Sequence, residues 1–199
     1  MKILAVVDLH GEEKAYTSLA KNFKKHKPDL IISAGDHTWF GENEKEFLNK
    51  MDFGVPVLIL PGNHEVPEAT QKAAKGLKHI VWLHKGVYEM NNVLILGCGE
   101  GGFCIGNCDF ERAKPFFKRE MKNYTGKVLL ITHEPPYDTK ADEVMPGSHV
   151  GSKSLREFIE ETQPDMNLCG HIHEAAGAIS KLGKTVVINL GPKGKLIKL

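Results

Sequence analysis

Short uninterrupted apolar runs alternate along the chain with longer stretches whose apolar residues recur every three or four positions. That alternation of buried-strand and helix signals predicts an α/β fold. Ile3–Val7 is the first apolar run, and Glu12–Lys25 follows with Ala15, Leu19 and Phe23 spaced for one helical face. Leu30–Ala34 predicts a second strand, Glu42–Met51 a helix, and Val55–Leu60 a third strand stopped by Pro61-Gly62. Pro67–Gly76 predicts a helix with proline in its first turn and glycine past its end.

The middle of the chain changes character. Ile80–Leu83, Val87–Met90 and Val93–Leu96 are short strand patterns, with Asn91-Asn92 between the last two as a hairpin turn. A glycine-rich loop runs from Gly97, and Phe110–Tyr124 predicts a helix despite Pro115. Val128–Thr132 is another buried strand, and Pro135–Val150 is a polar loop of functional length. Ser154–Thr162 predicts a helix and Asp165–Cys169 a strand; Ala175–Ile179 and Thr185–Leu190 predict a closing hairpin around Lys181–Lys184.

Composition narrows the picture without naming a function. A chain of 199 residues is expected to form one domain, residues 1–199, with a sizeable core. A net charge of +1 gives no broad basic field of the kind that binds nucleic acid. No apolar run approaches the length of a membrane span, and the opening run is too short for a secretory signal, so a cytoplasmic protein is expected. Cys98, Cys104, Cys108 and Cys169 match no paired zinc spacing, and free thiols are expected.

The chemistry-bearing residues sit just after the apolar runs. They are Asp8-Leu9-His10, Gly35-Asp36, Gly62-Asn63-His64-Glu65, His133 and Gly170-His171-Ile172-His173. Ligands bind at the carboxyl edge of such sheets, so groups following the strands can meet there. In an extended segment residues i and i+2 share a side, so Asp8 with His10, and His171 with His173, can each face one cation. Asp36 has two carboxylate oxygens with which to bridge two cations, and Asn63 adds a neutral oxygen. Mixed oxygen and imidazole donors suit Mn, Fe, Ni or Zn better than Ca. Taken singly, Asp8 reads equally well as a helix cap and Asp36 reads better as a cap or turn residue; the five groups together do not.

In this order the groups resemble the five motifs of the calcineurin-like metallophosphoesterases, over residues 8 to 173. Thr132-His133-Glu134-Pro135-Pro136-Tyr137, with Val150-Gly151-Ser152 and Gly170-His171-Ile172-His173-Glu174, looks most like the small Icc-related phosphoesterases. The resemblance implies a four-layer αββα sandwich of two mixed β-sheets flanked by helices. It implies two divalent transition metals, Mn foremost and Fe, Ni or Zn as alternatives. Asp8, His10 and His173 would hold the first and Asn63, His133 and His171 the second, with Asp36 bridging. His64 would be the catalytic histidine beside the leaving group, and Glu65 or backbone carbonyls would orient the imidazoles. The reaction implied is hydrolysis of a phosphate ester, a diester before a monoester, by in-line attack of a metal-bridging hydroxide. The partner is then a small phosphate ester or nucleotide.

Loops 37–43, 97–109 and 135–150 are expected to frame the pocket, with Trp39, Phe40 and Phe103 among their residues. His37, Tyr137 and His149 are candidate substrate contacts; His37 stands where relatives commonly carry an aliphatic residue. Three other readings compete, of which a nuclease of the double-strand-break repair type is disfavoured because such enzymes usually carry extra domains and a basic surface that this sequence does not predict. A catalytically silent scaffold of the same fold would lack ligands or the catalytic histidine, and this chain has both. A nucleotide-binding module could use Gly97, Gly99 and Gly102, which fit G-x-G-x-x-G, but no helix pattern follows them.

Overall fold

A computed structural model describes residues 1–100 and 108–199. Its first half runs β1 (Lys2–Val6), α1 (Glu13–His26), β2 (Leu30–Ser33), α2 (Glu44–Lys50), β3 (Val57–Ile59), α3 (Pro67–Ala74) and β4 (Ile80–Trp82). The second half runs β5 (Gly86–Met90), β6 (Val93–Cys98), α4 (Cys108–Met121), β7 (Lys127–Thr132), β8 (Glu143–Met145) and β9 (Ser148–His149). It ends with α5 (Lys153–Thr162), β10 (Met166–Cys169), β11 (Ile179–Leu182), β12 (Thr185–Asn189) and β13 (Lys195–Lys198).

Two large mixed sheets form. One has the order β13-β1-β2-β3-β4, the other β11-β12-β10-β7-β6-β5. Strands β1 to β4 are mutually parallel with β13 antiparallel at the edge; β6, β7, β10 and β12 are parallel between antiparallel edges β5 and β11. The alternation of side chains along each strand divides the core. Ile3, Ala5, Val7, Leu30 and Ile32 of the first sheet cluster with Ile95, Leu129, Ile131, Leu168 and Ile188 of the second. The opposite face of the first sheet, with Leu4, Val6 and Ile31, packs on Leu19, Phe47, Leu48 and Met51 from α1 and α2. The opposite face of the second, with Leu94, Leu96 and Leu130, packs on Phe110, Phe117 and Phe158 from α4 and α5. These are the four αββα layers. Strands buried on both faces explain why the apolar runs are continuous rather than alternating.

Local chemistry sets several boundaries. Lys27 and Gln163 end α1 and α5 in left-handed conformation, each ahead of a proline that cannot continue the helix. Ser152 caps α5 by accepting the Leu155 N–H at 3.3 Å. Asn91 and Asn92, both at positive φ, turn β5 into β6 as the asparagine pair predicts.

The structure departs from the pattern in four places. Helix α4 starts at Cys108 and runs through Pro115, because burying Phe110, Ala113 and Phe117 outweighs the lost backbone bond. The 135–150 loop contains the small β8–β9 pair. Residues 173–175 form a 3-10 turn, so the strand predicted to start at Ala175 starts at Ile179. Strand β13 is an addition: Lys195–Lys198 holds only two apolar residues and gives little signal, yet it pairs with β1. Among the described residues no helix is long and apolar enough to cross a membrane.

Candidate functional site

Parallel strands present their carboxyl ends on one edge, and there the five sequence groups converge. The local geometry is not the extended one that i, i+2 spacing suggests. Asp8, His10, Asp36 and His171 all have φ between 46° and 67°, in left-handed turns. The turns hold one another: the Asp8 N–H donates to the Gly35 carbonyl at 3.2 Å and the His10 N–H to the Asp36 carbonyl at 2.9 Å. Gly35 has φ +97°, and a Cβ there would lie 2.6 Å from His133 Nδ1 and 2.7 Å from the Gly62 Cα. Only glycine lets these loops approach so closely.

Around Asp36 the donors gather. Its Oδ2 lies 3.5 Å from His133 Nε2, 3.8 Å from His64 Nε2 and 3.9 Å from His10 Nε2. Its Oδ1 accepts the His64 backbone N–H at 3.0 Å. On one side, His10 Nε2 is 3.4 Å from His173 Nε2, which is 3.8 Å from Asp8 Oδ2. On the other, Asn63 Oδ1 lies 3.0 Å from His133 Nε2 and 2.8 Å from His171 Nδ1. Thus the seven residues expected to hold metal, and His64, are brought together. Ligand atoms of Asp8, His10 and His173 lie within 4.8 Å of one another, as do those of Asp8, Asp36 and His133, and of His10, Asp36 and His64.

The donor set fits divalent cations. His133 is fully buried and its Nδ1–H donates to the Ala34 carbonyl at 3.0 Å, so in the neutral ring Nε2 keeps its lone pair toward Asn63 Oδ1, another acceptor. Two facing acceptors require a proton or a cation between them. Buried Asp8 Oδ1 has no partner of its own. Burial alone would lower the His133 pKa, but the hydrogen bond and charge of Asp36 raise it to about 9. Burial works against ionised Asp36, yet His133 and the His64 N–H outweigh it and hold the carboxyl well below the usual range. Burial raises Asp8. Burial and the His133 charge push His171 down to about 4, leaving it a neutral donor. Without metal, ionised Asp36 thus sits beside a protonated His133 and a neutral His171.

The supporting residues differ from expectation. Glu65 does not touch the imidazoles in hydrogen-bond range. Its buried carboxylate accepts the backbone N–H groups of Asp36 (2.8 Å), Gly62 (2.8 Å) and Thr38 (3.0 Å), so it ties two ligand loops together through their main chain. His37 is fully buried and 2.9 Å from Glu44, whose other contact is the Thr70 hydroxyl at 2.6 Å; it braces α2 and α3 and does not face the open pocket. Tyr137 and His149 face each other at 6.1 Å across their own loop. His149 donates to Asp142 at 2.8 Å, and Asp142 also accepts the N–H groups of Thr139 and Gly151. Their rings contact one another, that of His149 contacts Asp142, and that of Tyr137 contacts Lys153 at the start of α5.

Two walls of the site carry no motif. Loop 37–43 does frame the pocket: the Trp39 and Phe40 rings lie 4.6 and 4.4 Å from His64. A cavity of about 650 Å³ adjoins Asp8, His10 and His173 and is lined on its far side by Gly191–Lys195. That loop reaches the site only because β13 joins the first sheet. A Cβ on Gly97 would strike Leu83 and one on Gly99 would strike Pro61, and the Gly99 N–H is taken by His84 Nδ1 at 3.0 Å. Their role is close packing. Gly102, Phe103, Cys104 and the side chain of Cys108 lie outside the described residues. Cys98 and Cys169 are free and buried, and burial pushes the Cys98 thiol up to about 12.

An αββα sandwich with histidine, aspartate and asparagine meeting at its carboxyl edge is the architecture of metal-dependent phosphoesterases. The chain belongs to the calcineurin-like phosphoesterase family, whose sequence model matches residues 1–175. It is 31% identical over 208 residues to an uncharacterized protein of Methanocaldococcus jannaschii, covering 99% of this chain and 91% of that one. It is 28% identical over 169 residues to a probable glycerophosphodiester phosphodiesterase of Arcobacter nitrofigilis, covering 78% of this chain and 60% of that one. The fold matches the crystal structure of a Thermus thermophilus protein with a TM-score of 0.72 at 16% identity, over 96% of this chain and 88% of that one.

Proposed function

We propose that the chain hydrolyses phosphodiesters with two divalent cations. Asp8, His10 and His173 would hold one, Asn63, His133 and His171 would hold the other, and Asp36 would serve both. The observation that carries this reading is the central place of Asp36. One carboxylate oxygen faces the Nε2 atoms of His10, His64 and His133 at 3.5 to 3.9 Å, between the two groups of donors. The preference for diesters leans on the probable glycerophosphodiester phosphodiesterase among the relatives.

When bound, the cations supply a water of lowered pKa and positive charge against the phosphate oxygens. The rest is the work of the chain. Asp36 stays ionised at neutral pH. The Ala34 carbonyl fixes the His133 ring, so its Nε2 points inward. His171 is neutral and available as a donor. His64 presents Nε2 toward the cluster, flanked by Trp39 and Phe40, and gives a proton to the departing oxygen, a role worth about 10²–10⁴ in rate.

The test is to strip the protein with chelator, reload it separately with Mn, Fe, Ni, Zn or Mg, and assay bis-aryl phosphates, mono-aryl phosphates and cyclic nucleotides. Turnover restored by a transition metal, with diesters ahead, is expected. An absence of turnover with every metal would overturn the enzymatic reading, and preference for monoesters would overturn the diester reading.

A further inference from the structure

Trp39 and Phe40 are large aromatic residues left 51% and 67% exposed beside the buried Asp36 and His133. They do not sit there as stray surface apolar groups. The Trp39 ring lies 4.6 Å from His64 and 5.3 Å from His10, and the Phe40 ring lies 4.4 Å from His64. The two rings meet each other at 5.2 Å and 81°, forming a corner around the histidine. Phe40 is held at φ +49°, a conformation that bulky residues avoid. If the pair served only to cover His64, the gain would come from burying them, yet half or more of each surface faces solvent. A cleft of about 200 Å³ continues past Trp39 and is lined by His10, Glu42, Asn43 and Glu46. It offers room and hydrogen-bond acceptors next to the rings.

We infer that Trp39 and Phe40 form a stacking platform for a planar leaving group, a nucleoside whose base lies against the rings. The inference rests on reading His64 as the leaving-group acid. In the reaction the water gives up a proton to solvent as its oxygen bonds to phosphorus, the bond from phosphorus to the nucleoside 5′ oxygen breaks, that oxygen takes the His64 proton, and His64 regains a proton from solvent. Whatever departs past His64 meets Trp39 and Phe40 next. Apart from the single indole N–H of Trp39, the rings offer a polyol such as glycerol little to hold, whereas every base has a π face to lay against them.

The test compares two methyl phosphodiesters with nearly the same leaving alkoxide, one of adenosine through O5′ and one of 1-O-methylribose through O5, on metal-loaded protein. A p-nitrophenyl ester serves as a third arm. Stacking predicts a KM for the adenosine ester roughly 5–100-fold below that for the base-free ester. In a Trp39→Ala, Phe40→Ala protein that ratio should fall to near one. A ratio near one in the wild type, or a ratio that survives the double substitution while kcat falls alike on both esters, overturns the platform and leaves the rings as supports of His64. A gain confined to the p-nitrophenyl ester would mean a small aryl site and also overturn the nucleoside assignment. Binding can be read without turnover. A Trp82→Phe protein carries Trp39 as its only tryptophan, and a non-hydrolysable adenosine 5′-phosphonate should quench it where the ribose phosphonate does not. Equal response to both would overturn the inference. Turnover of the base-free ester tests the phosphoesterase reading separately, so the two failures are distinguishable.

Discussion

The carboxylate of Glu65 accepts the backbone N–H of Asp36 at 2.8 Å, so the residue at the centre of the cluster is held from behind by its main chain. Asp36 sits at φ +50°, where an aspartate needs local support. Glu65 gives it, and the same oxygen takes the Gly62 N–H at 2.8 Å. Glu65→Gln should therefore do more than remove a charge. The amide turns two N–H donors onto backbone donors, and at least one buried donor loses its partner. The expected cost is about 2–4 kcal/mol, a fall in Tm of roughly 4–16 °C. Metal affinity should drop about 10–100-fold, as for other residues that orient a ligand. Unchanged affinity by calorimetric titration would show that the loops hold their geometry without Glu65.

Asp36→Asn tests the bridging assignment. If the carboxylate lies between both groups of donors, the substitution should weaken both sites together, and elemental analysis of protein prepared with excess Mn should fall from near two equivalents to below one. Activity should be lost. Retention of one full equivalent with turnover intact would mean that Asp36 serves a single cation.

What the chain declares about itself follows burial. Strands covered on both faces must be apolar throughout, so β1, β2, β6 and β7 stand out, and the polar residues after them mark the sheet edge. The seven residues proposed as ligands stand out in the sequence by their order after the strands, and their division into two sets comes from the family resemblance. Their conformation is not legible there: Asp8 and His10 converge because both adopt left-handed turns, which hydrogen bonds to the 35–37 loop enforce from elsewhere in the chain. Strand β13 is hidden for a related reason. Its pairing with β1 is decided at the other end of the sequence, and only Leu196 and Ile197 carry an apolar signal. Glu65 was readable as a neighbour of His64, but its partners are backbone amides, which leave no trace in the sequence.

His84 supplies a pH test away from the cluster. It is buried, and its Nδ1 accepts the Gly99 N–H at 3.0 Å. Burial first, and the charge of Lys85 next, lower its pKa from 6.5 to about 4. Between those values the unfolded chain binds the proton that the folded chain refuses. The stability contribution is present above pH 6.5 and is lost as pH falls toward 4. His84→Asn keeps an acceptor for Gly99 but cannot titrate. The wild type should lose more stability than this variant between pH 7 and pH 5 in denaturant melts. Parallel losses would mean that His84 does not carry the dependence.

His64 decides between two geometries that the structure leaves side by side, since its Nε2 lies near enough to Asp36 and His10 to share a cation. If it is the leaving-group acid, His64→Ala should keep both metal equivalents, because Asn63, His133 and His171 still surround the second. Turnover should drop about 10²–10⁴. The loss should shrink as the leaving group improves, because nitrophenolate departs as an anion already stable in water and needs no proton. Metal content and the dependence on leaving-group pKa should be measured on one preparation. Loss of a metal equivalent would move His64 among the ligands. Equal impairment on good and poor leaving groups would assign it instead to placing the phosphate, and the Trp39 and Phe40 corner would then flank the phosphoryl group rather than what departs from it.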